Sequence, residues 1–156
     1  MRIVQDSREQ CPFLFNGYDC EVTTGSLPTG DYSLLHLEHM IAVERKSIDD
    51  LLGCLTSERE RFSRELERGR GMAFFCVVVE GTWADIAAGR YRSRMEPAAA
   101  TASVLSLSMR NRVPFHFAGS REHAEAVTFH LLRLYLQGAE KKLRDIVKAH
   151  GSGDAA

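Results

Sequence analysis

The chain has 156 residues, 44% of them hydrophobic and 26% charged, with a formal charge of −1 at pH 7, which suits one soluble globular domain. No apolar run approaches the roughly 20 residues of a membrane helix, and Met1-Arg2-Ile3-Val4-Gln5-Asp6 lacks the apolar stretch of a signal peptide, so a membrane role is excluded and a cytoplasmic location expected. Cys11, Cys20, Cys54 and Cys76 are scattered without C-x-x-C spacing, which suggests neither a zinc ribbon nor a disulfide scaffold and leaves them as reduced, mostly packing residues.

In chain order, Arg2 to Asp6 reads as a short first strand, Ser7 to Cys20 as a loop with Pro12, Asn16 and Gly17, and Glu21 to Thr24 as a further extended segment. After the turn residues Gly25 to Gly30, residues 31–36 and 40–46 are expected to form a hairpin. A two-residue turn at Leu37-Glu38 sets Asp31 opposite Glu44, and one at Glu38-His39 sets it opposite Lys46. A one-residue slip takes Asp31 to the other face.

Side chains alternate along a strand, so Glu44 and Lys46 share a face and Arg45 takes the other. Two acids beside a strand carbonyl suit a hard cation such as Mg²⁺, which prefers oxygen ligands and keeps several waters. A neighbouring lysine can orient the attacking water or neutralise the charge of a pentavalent phosphorane. The pattern therefore points to metal-dependent hydrolysis of a phosphodiester. The bland alternative is an exposed cross-strand charge pair, but the three consecutive charges 44–46 fall where an apolar strand should be entering the core, which is costly unless they are paired or metal-bound.

Gly30-Asp31 followed by Glu44-Arg45-Lys46-Ser47-Ile48-Asp49-Asp50 resembles the G-D-x(n)-E-R-K-x-x-x-D signature of the XPF-type structure-specific nucleases, a branch of the PD-(D/E)XK superfamily. Asp6-Ser7-Arg8-Glu9 resembles the D-x-R-E segment of that family, and Arg61-Phe62 with Glu65-Leu66 resembles its R-[FY]-x-x-Q-[LKF] helix, with glutamate in place of glutamine. The resemblance covers roughly the first 70 residues by motif and the remainder by element order. It implies an α/β fold of the restriction-endonuclease type, a three-layer sandwich with a central mixed sheet flanked by helices. It also implies Mg²⁺ or Mn²⁺ held by Asp31 and Glu44 with support from Asp6, catalytic help from Lys46, and substrate or structural roles for Arg8, Arg45 and Asp50.

Farther along, Ser47 can cap a helix through Leu55 with Asp50 at its third position, which leaves Asp50 as either a helix cap or a site residue. Ser57 and Glu60 repeat the cap pattern for a second helix, wet except at Phe62 and Leu66. Residues 73–80 form a continuous apolar run expected of a central strand covered on both faces. A short helix from Thr82 to Ala88 stops at Gly89, a longer one begins beside Pro97 and runs to Met109, residues 114–118 form another strand, and Ser120 caps a long helix.

Two arginine groups are candidate DNA contacts. Arg59, Arg61, Arg64, Arg68 and Arg70 are interleaved with glutamates, so they serve either as a solvated ion-pair face or as DNA contacts. Arg90, Arg92 and Arg94 stand in a loop with Tyr91, suited to backbone tracking and stacking or merely to solubility. From these groups Arg61, Arg90, Arg92 and Arg94 are taken, with Arg8, as the DNA-binding set. On the last helix Val127, Leu131, Leu134 and Tyr135 form one apolar stripe and Phe129, Leu132 and Leu136 another, consistent with deep burial or with a partner surface; the resemblance favours a homodimer. Residues 1–138 are read as the nuclease domain and 139–156 as a polar helical extension ending in a disordered tail.

The expected function is endonucleolytic cleavage of flap, fork or other branched DNA in repair or recombination. Members of the family usually carry a tandem helix-hairpin-helix module that grips duplex DNA. None follows the nuclease motifs in these 156 residues, so a stand-alone domain is expected, helped by a helicase or DNA-binding partner. A non-catalytic DNA-binding or dimerisation partner of the same fold is the alternative, and a restriction-type or Holliday-junction nuclease a third.

Overall fold

The computed structural model describes residues 1–151. Its centre is the run Phe74–Glu80 (β5), whose five middle residues are buried because both faces of this strand are covered. Ile41–Ser47 (β4) and Phe115–Phe117 (β6) pair with it in parallel on either side. Tyr32–Leu34 (β3) joins β4 antiparallel, Arg2–Asp6 (β1) joins β3 antiparallel, and Glu21–Gly25 (β2) pairs parallel to β1 at the exposed edge. The six-stranded sheet has the order β2-β1-β3-β4-β5-β6 and is mixed.

Helices Ile48–Leu55 (α1), Arg59–Arg70 (α2), Trp83–Ala87 (α3) and Pro97–Asn111 (α4) cover one face, where Ala42, Val77 and Val79 meet Leu51, Phe62, Leu66 and Val104. The helix Arg121–His150 (α5) covers the other, where Ile41, Val43, Cys76 and Val78 meet Ala124, Phe129 and Leu132. Helix, sheet and helix make the expected α/β sandwich of three layers. No helix among the described residues is long and apolar enough to cross a membrane.

Several local expectations are corrected. The β3–β4 connection is not a two-residue turn: residues 35–40 form a wider loop, closed by Met40 N–H donating to Leu37 O at 2.8 Å, with His36 in the left-handed region at φ 67°. The register is still the first of the two expected, since Tyr32 pairs with Val43 and Asp31 therefore falls opposite Glu44. Ser57 does not cap α2; Glu58 occupies that position without a side-chain cap bond, and the helix is held instead by the burial of Phe62 and Leu66. α5 continues through Gly138 to His150, its exposed helical backbone satisfied by its own hydrogen bonds. The expected tail lies outside the described residues save for Gly151.

Of the two stripes on α5, Phe129 and Leu132 are buried on the sheet and Leu136 packs beside them. Val127, Leu131 and Tyr135 are partly buried, while Leu134 is 65% exposed. The thiols of Cys54 and Cys76 are buried, Cys20 is partly so, and Cys11 is exposed, so packing accounts for three of the four.

Two glycines set where the site can form. Gly30 has φ 80°, and a Cβ there would stand 2.8 Å from the Ala42 Cβ, so the chain enters β3 by passing directly over β4. A Cβ on Gly69 would stand 2.2 Å from the Phe75 ring, so α2 lies close enough to β5 that only hydrogen fits between them.

Candidate active site

Strand alternation places Glu44 and Lys46 on the α1/α2 face of β4, beside Val77 and Val79 of β5, and turns Arg45 toward the α5 face. Glu44 is 3% exposed and its Oε1 accepts a hydrogen bond from Lys46 Nζ. That ammonium also lies 5.7 Å from the centroid of the Phe62 ring on α2. Asp31 enters from the start of β3: its N–H donates to Val43 O at 2.9 Å, and its Oδ2 accepts from the Arg45 backbone N–H at 2.7 Å.

The electrostatics are those of crowded carboxylates. Burial pushes the Asp31 carboxyl up to about 7, against the pull of the Arg45 N–H and the Lys46 charge. Glu44 is pushed well above the ordinary carboxylate range by burial and by Asp31, with Lys46 opposing. Burial alone would lower Lys46, but Glu44 and Glu65 outweigh it and raise it, so the amine is charged at neutral pH. One ammonium thus faces Asp31, Glu44 and Glu65, a local excess of negative charge.

Asp6 is 2% exposed and differently engaged. Its Oδ1 accepts from Arg8 N–H and Nε at 2.8 and 2.7 Å, and its Oδ2 from Arg8 Nη2 and Leu27 N–H at 2.9 and 2.8 Å. Burial would raise this carboxyl, yet the Arg8 guanidinium and the two backbone donors hold it below the usual range. Its backbone N–H donates to Asp31 O at 2.8 Å, so the end of β1 anchors Asp31 through the main chain. The structure brings Asp31 and Glu44 together and turns the Asp6 carboxylate toward Arg8. No group of three His, Cys, Asp or Glu side chains poised to hold a metal ion occurs among the described residues.

Two cavities of about 340 and 360 Å³ flank this cluster and share Arg8, Asp31, Lys46 and Arg61. The first also takes in Glu9, Arg45 and Asp50; the second takes in Asp6, Glu44, Glu65 and Arg68. Asp50 is a helix-cap residue, its N–H donating to Ser47 Oγ at 3.1 Å and its Oδ2 accepting from that hydroxyl at 2.7 Å, on the wall of the first cavity. Arg61 pairs with Glu58. Arg90 is bound to Asp85 at 2.7 Å, and Arg92 reaches Asp49, a lining residue of the first cavity, at 3.3 Å; Arg90, Arg92 and Arg94 themselves line neither cavity.

Arg45, on the opposite face, donates from Nε to Glu80 Oε1 at 2.7 Å and lies 3.6 Å from Glu9. Glu80 is not singled out by the sequence, and Glu9 and Glu65 stand there only inside the two family motifs, with no site role of their own. Glu80 had a signal, a charge closing an apolar strand. Glu65 had one as well, standing four residues after Arg61 on the same helix face.

A mixed sheet that gathers buried carboxylates and a lysine between charged cavities defines a nuclease-type domain. The ERCC4 domain family matches residues 5–131, and the chain belongs to that family. No curated protein sequence matches it. Among solved structures it is similar to XPF from Aeropyrum pernix, with a TM-score of 0.68 and 23% identity over 86% of this chain and 61% of that one. It is also similar to XPF from Aeropyrum pernix in complex with DNA, with a TM-score of 0.67 and 23% identity over 88% of this chain and 66% of that one. At this identity the likeness is one of fold, and the chain spans about three-fifths to two-thirds of the length of those structures.

Proposed function

We propose that the protein is a metal-dependent DNA endonuclease that hydrolyses phosphodiester bonds in flap, fork or other branched DNA, acting in the cytoplasm in repair or recombination. The observation that carries this is the meeting of Asp31, Glu44 and Lys46 on one sheet face, between two cavities that share Arg8 and Arg61.

The donor set fits a hard divalent cation. Two neighbouring carboxylates whose ionisation is resisted by burial and mutual repulsion are stabilised by added positive charge, and Mg²⁺ is commonly held by one or two carboxylates and water. Asp31 and Glu44 would hold it with the Arg45 carbonyl, and Asp6, its oxygens engaged by Arg8 and Leu27, would support it through water. Bound Mg²⁺ or Mn²⁺ supplies polarisation of the phosphate and a more acidic attacking water. Lys46, charged at neutral pH, orients that water or donates to the phosphorane oxygens, and Arg8 and Arg61 neutralise phosphates on either side. Arg45 acts from behind, holding Asp31 by its backbone N–H. Arg90, Arg92 and Arg94 extend the DNA contact beyond the first cavity.

Incubation with labelled duplex, flap, fork and single-stranded DNA in Mg²⁺, Mn²⁺ or EDTA tests this. The expected outcome is metal-dependent cutting that Asp31→Ala and Glu44→Ala abolish. DNA binding without cutting in every condition would transfer the assignment to a non-catalytic DNA-binding or dimerisation partner. We further propose that α5, with Leu134 exposed, forms a homodimer surface and that a helicase or DNA-binding partner adds duplex grip; a 17.5 kDa species in sedimentation at micromolar concentration would remove the dimer.

A further inference from the structure

Arg121 is the first residue of α5, where a cation opposes the positive end of the helix dipole. Such a local violation calls for a compensating role. Its guanidinium spreads over three acceptors. Nη1 donates to Glu80 Oε1 at 2.9 Å, and Nη2 donates to both Cys11 O and Pro12 O at 2.8 Å. The same group lies 5.0 Å from the centroid of the Phe13 ring.

Glu80 Oε1 is shared with Arg45 Nε, and Arg45 faces Glu9 at 3.6 Å. Glu9 in turn accepts the Cys11 N–H at 2.5 Å. Arg121, Glu80, Arg45, Glu9 and Cys11 therefore close a ring in which a residue of the last helix grips a loop near the start of the chain. At its far end this loop is fixed in the core, where Phe13 N–H donates to the Tyr32 hydroxyl at 2.7 Å. At its near end Arg8 is bound to Asp6. Between these points Gln10 and Cys11 are exposed, and with Glu9 they wall the cavity that contains Asp31 and Lys46.

We infer that Arg121 is a positioning residue whose clasp on the Cys11 and Pro12 carbonyls sets the wall of the substrate cavity formed by residues 9–11. The consequence for turnover rests on the nuclease function proposed above; the consequence for the loop does not. A planar guanidinium serves all three acceptors together, which a lysine ammonium on its flexible stem cannot match.

Arg121→Met keeps the apolar stem over Phe13 and removes the donors. Hydrogen exchange of the amides of residues 9–11 and 13 in the full chain should rise about tenfold, as expected when charge-assisted hydrogen bonds closing a loop are lost, while the sheet amides are unchanged. Arg121→Lys should fall between Met and wild type. Ser120→Ala, which removes the cap oxygen that accepts the His123 N–H, should loosen the start of α5 and leave the loop protected. With DNA, Arg121→Met should raise KM about tenfold and alter kcat by less than about twofold, the split expected when a binding wall is displaced and the reacting groups are not. Unchanged exchange at residues 9–11 and 13 overturns the inference, as does loss of protection across the whole sheet or a fall in kcat with KM unchanged. If the wild type cuts no DNA, the nuclease assignment fails, and the exchange result alone decides the clasp.

Discussion

The Arg45 backbone N–H donates to Asp31 Oδ2 at 2.7 Å while the guanidinium of the same residue reaches Glu80 on the far side of the sheet. A single residue thus joins the carboxylate cluster on one face to an ion network on the other. The coupling comes from strand geometry: side chains leave on alternate faces, while the main chain is common to both.

Asp31 sits where its charge is resisted, which gives removal of that charge a definite sign. With a folded pKa of about 7 against an ordinary 3.8, the folded state holds a proton that the unfolded state has released between these values. Stability without metal therefore falls as pH rises through roughly 4 to 7 and stays low above it. Asp31→Asn should melt higher than wild type at pH 8 in EDTA, show little advantage near pH 4, and cut no DNA. Added Mg²⁺ or Mn²⁺ should stabilise the wild type at pH 8 and not the variant. Thermal melts across pH with and without metal check this; a variant that melts lower at pH 8 in EDTA would contradict the charge crowding.

Lys46 is the near partner of the buried Glu44. Lys46→Met should abolish cleavage and cost about 3 kcal/mol at pH 8, since it strands a buried carboxylate. The cost should be smaller at pH 5.5 than at pH 8, because burial already pushes Glu44 well above the ordinary range and its protonated form gains weight as pH falls. Adding Glu44→Gln to Lys46→Met should restore much of the stability and none of the activity. Urea titrations at the two pH values measure both effects, and an equal loss at each would show that packing, not charge, is what Lys46 supplies.

Gly30→Ala combines a φ of 80° with a Cβ 2.8 Å from Ala42. The expected cost is about 2 kcal/mol or more. Because Gly30 adjoins Asp31, the cleavage rate should fall further than the remaining folded fraction explains. Rates normalised by the folded fraction from circular dichroism decide whether the displacement reaches the site.

The arginines should separate by position. Arg8→Ala and Arg61→Ala remove cations from both cavities and should weaken DNA binding and lower the slope of log K against log salt by about 1 each. Arg90→Ala and Arg94→Ala, outside both cavities, should have smaller effects, with Arg92→Ala between. Fluorescence anisotropy with Asp31→Asn as background, over a salt series, gives the order; equal losses for Arg61 and Arg90 would place the DNA across a wider surface than the cavities.

Much of the fold was legible in the chain because its signals are local. The apolar run 74–79, Ser47 and Ser120 as caps, Pro97 at a helix start and Gly89 at a helix end each act over a turn or a strand. The shared face of Glu44 and Lys46 needed only the two-residue period, and the pairing of Asp31 with Glu44 was one of two registers that keep it on that face. Asp50 stayed ambiguous because a cap and a cavity wall can be the same residue, as they are here. The Ser57 cap failed because burial of Phe62 and Leu66 outweighed a weak local preference.

What the amino-acid sequence determined by itself was the family, the sandwich and the cluster of Asp31, Glu44 and Lys46, all carried by residues close in the chain or by strand periodicity. Only the tertiary structure decided that the Asp6 carboxylate turns to Arg8 and Leu27, that Glu65 joins the site from α2, and that Arg121 reaches 110 residues back to the carbonyl of Cys11. These depend on how helices pack across the sheet and where two glycines let chains approach, and such contacts leave no periodic trace in the order of residues.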